Sequence, residues 1–503
     1  MRCGISHLVI FFTVAISPCY GRAFETRAWA DAEAACRKIS SVISSQSAVF
    51  APGSPQYSEG TAHYATSSSQ LSACSVEPGN VNDLSKILRI VGKNRVPFAV
   101  GFHRSSPYFF RLNQIVTQVK GAGHASNPGF SSTPGVHIAM SRFREVTYNK
   151  TSGTVEIGAG LTWIEVYDAL EPHGVNVPGG RGNSIGVAGF TLGGGLSWLS
   201  NEHGLAADNV VKYDLVLPNG TFTSVTKYSN AELFFGLKGI VTKFTFRALP
   251  QGDVWGGSIV ILEDHINEVT AATFKFGCSV LDPKAAIIVN YVSTQGTPTA
   301  FLSLFYNGPV PPVGIFDDFL AIPALERNIS THSFPSWIRS QDIRHVDRNY
   351  DHTFSATKYS ETLLTAIANE SVFWGDVLNG QQSFRNVYSV EPFLPSAFSQ
   401  ASAVTNAFPP SRILWLPTSI NFFWEQSALD AVVESSLRQS VEHLTLVAKG
   451  EGQDVDSLPV YNNYALFDTS LEKIYQGNLR RLREMKHRYD PENIMGLTGG
   501  WRF

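Results

Sequence analysis

The chain has 503 residues, of which 43% are hydrophobic and 16% charged, with 39 basic against 42 acidic side chains. The hydrophobic share excludes a disordered chain, and the near-neutral balance gives no electrostatic ground for a nucleic-acid partner. The length exceeds what one hydrophobic core supports, so two domains are expected.

The chain opens MRCGISHLVIFFTVAISPCYGRA, with Arg2 before an apolar run from Leu8 to Ile16 and then small and turn-forming residues. This pattern predicts a secretory signal over residues 1–23, cleaved near Gly21 to Ala23, because the run is too short to span a bilayer. No later segment is long and apolar enough for a membrane helix, so the mature protein is expected to be soluble and extracellular, with no membrane partner. Loss of Cys3 and Cys19 with the signal leaves Cys36, Cys74 and Cys278. In an oxidising compartment Cys36 and Cys74 are the expected pair and Cys278 a buried thiol, although counting alone does not fix the pairing. Sequons at Asn149, Asn219, Asn328 and Asn369 suit a secreted glycoprotein.

From Val76 to about Arg247 helical and extended patterns alternate. DLSKILRIVGKN reads as an amphipathic helix, VPFAV and TVEIGAG as strands, LTWIEVYDALEPHG as a helix, and YDLVLPNGTFTSV as a hairpin turning at Asn219-Gly220. This mixture predicts an α+β first domain over residues 24–250, its core from about residue 70. From Pro250 longer strands follow, SIVIL, AAIIVNYVS and AFLSLFYNG, with a break at Pro309 to Pro312. They predict a second domain, residues 251–456, that packs a sheet against helices. The remaining segment, 457–503, carries one helix from Leu471 to Tyr489, ended by Asp490-Pro491, and is expected to return to the first domain. Its basic run, Arg480 to Arg488, reads as a solvated helix face.

Two glycine-rich segments carry the chemistry: KGAGHASNPG, and GGRGNSIGVAGFTLGGGLSWLSNEHGLAADN. Glycine lets backbone N–H groups approach anionic oxygens closely, as a pyrophosphate requires. Gly193-Gly194-Gly195 precedes a helix-like LSWLSNEHG, the arrangement of an anion site at a helix start. Neither segment has the spacing of a Rossmann fingerprint or a P-loop, so a nucleotide-like ligand is expected on another fold.

PFAV with KGAGHASNPGFSSTPGVHIAM, IGAGLTWIEVYDALEPHGV, VAGFTLGGGLSWLSNEHGLAADNVV and the tail from YNNYALFDTSLEKIYQ to MGLTGGW together resemble the secreted FAD-dependent oxidoreductases related to berberine bridge enzyme. These belong to the p-cresol methylhydroxylase and vanillyl-alcohol oxidase superfamily. The likeness runs over nearly the whole mature chain. It implies an FAD-binding domain of two α+β subdomains, completed by the C-terminal segment, and a substrate domain whose antiparallel sheet, covered by helices, roofs the flavin.

Carried over by motif, the resemblance assigns His124 as the covalent attachment point of FAD. The loop residues Lys120, Gly121, Ala122, Gly123 and Ala125 contact the cofactor, as do Gly186, Val187, Gly189, Gly193, Gly194 and Gly195, and Ile240 and Val241. A neutral imidazole is a competent nucleophile for such a bond. A second tether through cysteine has no counterpart, because Arg181, Gly182 and Asn183 stand at its place. In YNNY, Tyr464 is the implied base and Asn463 orients the flavin or the tyrosine. A phenol with an ordinary pKa of about 10 needs a hydrogen bond or a nearby cation to act as a base. The implied reaction is oxidation of a CH–OH bond in an alcohol, sugar or secondary metabolite, with dioxygen as the expected oxidant. The alternative is a secreted flavin- or sugar-binding protein without turnover.

Two features depart from the family pattern. Relatives pass directly from PFAV into the glycine loop, whereas here Gly101 to Val119 intervenes, with the bulky run Tyr108-Phe109-Phe110. This interruption reads as translated intron sequence. In LFFGLKGIVTKF about six residues of the family pattern are missing between Gly239 and Ile240.

Overall fold

The computed structural model describes the backbone of residues 18–101, 104–105, 120–121, 123–341, 348–380, 384–400, 405–411 and 413–503. The apolar run Leu8 to Ile16, Ala122 and most of the Gly101 to Val119 interruption lie outside the described residues. Three sheets organise the chain, in an α+β architecture.

The first sheet has the order β1–β2–β4–β3, from β1 (Ala48–Phe50), β2 (Cys74–Glu77), β3 (Phe98–Gly101) and β4 (Val136–Ala139). Strands β2 and β3 both run parallel to β4, with Cys74 and Phe98 each opposite Val136. Helix α1 (Pro18–Ser40) passes through the expected cleavage region. Helix α2 (Val81–Lys93) forms where the apolar spacing predicts it: Leu84, Ile87, Leu88 and Val91 recur on one buried face. Asn80 caps its start by accepting from the Asp83 N–H at 2.9 Å. Cys36 of α1 is bonded to Cys74 of β2, as expected.

The second sheet has the order β8–β7–β9–β6–β5, all antiparallel, from β5 (Val146–Asn149), β6 (Thr154–Gly158), β7 (Val210–Val216), β8 (Phe222–Val225) and β9 (Ile240–Arg247). The β7–β8 hairpin turns at Asn219-Gly220, where Gly220 adopts a φ of +79°. Helix α3 (Trp163–Leu170) covers this sheet, with Trp163, Val166, Tyr167 and Leu170 buried.

Seven antiparallel strands form the third sheet, in the order β13–β10–β12–β11–β15–β16–β14. They are β10 (Val254–Leu262), β11 (Ala285–Thr294), β12 (Thr297–Tyr306), β13 (Glu326–His332), β14 (Arg348–Ala356), β15 (Arg385–Val390) and β16 (Leu416–Trp424). Alternation decides its two faces. Val289, Tyr291, Tyr388, Val390, Ile420 and Phe422 pack under helices α5 (Ile266–Ser279), α6 (Glu361–Val377) and α7 (Asp430–Gly450). Asn290, Arg385, Val387, Ser389, Asp351 and Asn421 alternate with them and stay partly open.

The C-terminal segment returns to the first two sheets: Arg481 pairs with Glu232 at 2.6 Å, and Arg95 Nη1 donates to the Glu492 carbonyl at 2.7 Å. Two expectations are corrected. Leu471 to Tyr489 is not one helix but Leu471–Tyr475 and α8 (Leu479–Tyr489), separated at Gln476 with a φ of +43°. The positive φ at Gln476 breaks the helical backbone there, and the Gln476 and Asn478 side chains anchor the break by donating to the Ser457 and Ala407 carbonyls, both at 2.9 Å. Cys278 is exposed rather than buried. The buried stripe of α5 is Val269, Ala272, Thr273 and Phe276, and Cys278 lies beyond it on the solvent side.

Candidate active site

Tyr464 of the YNNY motif meets the C-terminal end of β15, an interior strand of the third sheet. Tyr464 Oη donates to Glu391 Oε1 at 3.0 Å, and Glu391 follows β15 directly. Arg181 contacts both groups: its guanidinium grips the Glu391 carboxylate with two nitrogens and donates to Tyr464 Oη. Side-chain exposure is 13% for Arg181 and 3% for Glu391, so this is a charge pair withdrawn from water. Arg181 also lies 5.9 Å from the centre of the Phe393 ring.

The expected cation beside the base is therefore Arg181. The expected phenolate is not what the geometry favours. Burial pushes the Tyr464 phenol well above its ordinary range; Arg181 pulls it down, but Glu391 opposes that pull. Tyr464 is a phenol that already points its proton at a carboxylate. Asn463 does not hold Tyr464: its Nδ2 donates to Tyr461 Oη at 3.1 Å and to the Phe190 carbonyl at 3.2 Å. It orients the first tyrosine of the motif, whose ring meets Tyr464 edge-on at 4.7 Å.

His124 lies in the loop before β4, and burial holds its imidazole down to about 4, hence neutral at neutral pH. Gly123 before it has a φ of +87°, a conformation that favours glycine. Buried polar atoms without a protein hydrogen bond occur along this loop, in and just after β4, and in the second glycine segment: His124 Nδ1, Asn127 Oδ1, Ser131 Oγ, His137 Nδ1, Ser141 Oγ and Ser184 Oγ. Such groups are costly unless a ligand or water supplies their bonds, so the region fits a large polar cofactor such as FAD. Lys120 and Gly121 form a short strand against Arg104–Ser105. Ala125 is exposed, and Gly189 has open space where a side chain would stand, so both can be approached by a ligand.

Other residues of the expected cofactor set are placed differently. Gly193 to Gly195 are not followed by a helix; Leu196 to Trp198 are irregular and the next helix is the single turn Ser200–His203. Gly186 caps the short helix α4 (Val187–Leu192), which ends at Gly193. A side chain at Gly193 would collide with Asn463, and one at Gly195 with Phe190 and Ala206. These glycines serve close packing of protein on protein, not an anion site at a helix start. Val187, Ile240 and Val241 are buried in hydrophobic cores, the latter two, in β9, paired with Val216 and Leu215 of β7. Gly239, at the site of the missing residues, has a φ of +138° and passes close to the Val216 carbonyl.

Sequence reasoning missed Glu391, Asp351 and Tyr64. Asp351 of β14 accepts from Ser419 Oγ at 3.1 Å, and Ser419 Oγ accepts from Asn421 Nδ2 at 2.8 Å. Burial raises the Asp351 carboxyl well above the ordinary carboxylate range; the Ser419 hydrogen bond opposes the rise and Glu391 adds to it. Beside it in the sheet Ser389 Oγ donates to Asn290 Oδ1 at 2.6 Å. Tyr64 packs on His124 with ring centres 4.2 Å apart.

Comparison with known proteins addresses the family. Residues 109–226 match the FAD binding domain family and residues 460–497 the berberine and berberine-like family. The FAD-dependent monooxygenase drtC of Aspergillus calidoustus is 29% identical over 488 residues, 90% of this chain and 87% of that protein. An uncharacterized FAD-linked oxidoreductase of Arthroderma benhamiae is 30% identical over 389 residues, 73% of each chain. Among solved structures, BBE-like 1 of Physcomitrella patens superposes with a TM-score of 0.73 at 20% identity, covering 92% of this chain and 97% of that one. That likeness is one of fold. With the matched domains and the identity to the Arthroderma protein over most of both chains, it shows that this chain belongs to the FAD-linked oxidoreductases of the berberine bridge enzyme-like group.

Proposed function

We propose that the protein is a secreted oxidase that acts on a CH–OH bond of an alcohol, sugar or secondary metabolite, with FAD attached through His124 and dioxygen as final acceptor. The observation that carries this reading is the Tyr464–Glu391–Arg181 cluster. FAD, when bound, would supply the hydride acceptor, with dioxygen as the final oxidant. The substrate hydroxyl gives its proton to Tyr464 Oη as the phenol proton moves to Glu391 Oε1, so no free phenolate is needed. Arg181 keeps the carboxylate oriented toward the tyrosine. The open sheet face, with Asp351, Asn421, Ser389 and Asn290, offers hydrogen-bonding partners to a polar substrate. The relative named a monooxygenase supports dioxygen as a co-substrate, since a monooxygenase consumes it. Export is supported by the N-terminal pattern, the Cys36–Cys74 bond and the exposure of all four sequon asparagines.

The test separates tether from base. The absorbance of purified protein is recorded before and after acid precipitation, for wild type, His124→Ala and Tyr464→Phe, and peroxide is measured per product formed. The expected result is yellow wild-type precipitate, flavin released from His124→Ala, and flavin retained by Tyr464→Phe with its reduction slowed roughly 10²- to 10⁴-fold. Retained flavin that no substrate reduces would leave the binding protein without turnover as the correct reading.

A further inference from the structure

Residues 61–72, TAHYATSSSQLS, contain no regular element beyond the three-residue turn Thr66–Ser68, yet they lie between the cofactor loop and the substrate sheet. On the loop side, Tyr64 N donates to the Gly123 carbonyl at 3.0 Å, one residue before His124. Ser132 Oγ donates to the Ser68 carbonyl and Ser72 Oγ to the Thr133 carbonyl, both at 2.6 Å. On the sheet side, Ser67 Oγ donates to the Asn349 carbonyl at 3.0 Å and accepts from the Asn349 N–H at 3.1 Å. Tyr64 and Ala65 pack against Phe423 of β16.

We propose that Tyr64 is a positioning residue for His124, held in place by this serine-rich strap. The Tyr64 ring is 7% exposed and lies across the imidazole at 39°. His124 Nδ1 has no protein hydrogen bond, so packing against Tyr64, rather than a bond at that nitrogen, holds the ring. A nucleophile needs a fixed approach to the carbon it attacks, and a displacement of about 1 Å costs up to roughly 10²-fold in rate. The strap sets that approach from both sides: the loop through Gly123, the sheet through Asn349. Substrate bound on the sheet and cofactor bound on the loop would then share one rigid connection.

The inference rests on His124 as the attachment point, and the experiment distinguishes the two. Wild type, Tyr64→Phe, Tyr64→Leu and Tyr64→Ala are expressed as full chains. For each, total flavin and the flavin remaining with acid-precipitated protein are measured, together with the thermal midpoint. Their ratio is the decisive quantity, because a merely structural loss lowers both amounts together. The expected result is a ratio unchanged in Tyr64→Phe, which keeps the flat ring, and lowered roughly tenfold in Tyr64→Leu and Tyr64→Ala. Tyr64→Leu keeps bulk and so guards against a variant that fails to fold. A wild-type ratio in both Tyr64→Leu and Tyr64→Ala overturns the positioning role. Wild-type flavin that is wholly released by acid overturns the attachment reading, and the proposal with it.

Discussion

Replacing Glu391 by glutamine keeps the size of the side chain and an oxygen acceptor but removes the charge on which Tyr464 and Arg181 converge. At the observed 3.0 Å to Arg181 Nη2, and at an effective dielectric constant of about 20, that attraction is of the order of 5 kcal/mol before desolvation is subtracted. Removing one partner of such a buried pair costs about 3–5 kcal/mol, and the glutamine carbonyl reduces this toward the lower end. A lowered thermal midpoint is therefore expected. The kinetic effect is larger. Tyr464 loses the carboxylate that takes its proton, and flavin reduction at neutral pH falls roughly 10²- to 10⁴-fold. The pH dependence then changes in a defined direction. Burial, which raises the phenol most, is unchanged, but the pull of Arg181 is no longer opposed by Glu391, so the Tyr464 pKa falls. Phenolate becomes accessible, and the Glu391→Gln rate rises with pH as it forms. Anaerobic stopped-flow measurement of flavin reduction across alkaline pH reads this directly. Reduction at the wild-type rate at neutral pH, or a variant rate that stays flat as pH rises, would refute the relay.

Three further outcomes are expected. Burial holds His352 down to about 4 and His137 to about 3, against about 6.5 in an unfolded chain. The unfolded state thus binds more protons, and His352 contributes up to about 3 kcal/mol and His137 up to about 5 kcal/mol, lost as pH falls from about 6.5 toward 4 and 3 respectively; denaturant titrations at several pH values should show this slope. Reducing the Cys36–Cys74 bond, which closes a separation of 38 residues, should cost about 4 kcal/mol by the chain-entropy estimate, and unreduced peptide maps should contain this pair and a free Cys278. Transcripts sequenced across Val100 to Lys120 are expected to lack the codons for Gly101 to Val119, and mature transcripts that retain them, in a protein with stoichiometric flavin, would show the interruption to be genuine.

Local signals were sufficient wherever the interaction is local. The apolar spacing of Leu84, Ile87, Leu88 and Val91 dictates α2, Asn219-Gly220 dictates its hairpin, and the small-residue loop around His124 is visible without coordinates because glycine has few other reasons to recur there. Tyr464 and its motif were legible through resemblance alone. Misplaced features had local patterns that something distant overrode. The Leu471 to Tyr489 periodicity is helical, but Gln476 and Asn478 find carbonyls elsewhere. Gly193 to Gly195 look like an anion cradle, but Asn463, Phe190 and Ala206 fill their surroundings.

The sequence by itself determined the α+β class, the family and the two residues around which the proposed chemistry is built, His124 and Tyr464. Only the tertiary structure decided how Tyr464 can work. Arg181 is 283 residues and Glu391 73 residues away along the chain, and nothing in GGRGN or SVEPF marks either as its partner. Their meeting depends on the register of β15 and the return of the C-terminal segment, both products of long-range packing. The same holds for Tyr64, whose place on His124 is set by bonds to a loop and a sheet that only the folded chain brings together.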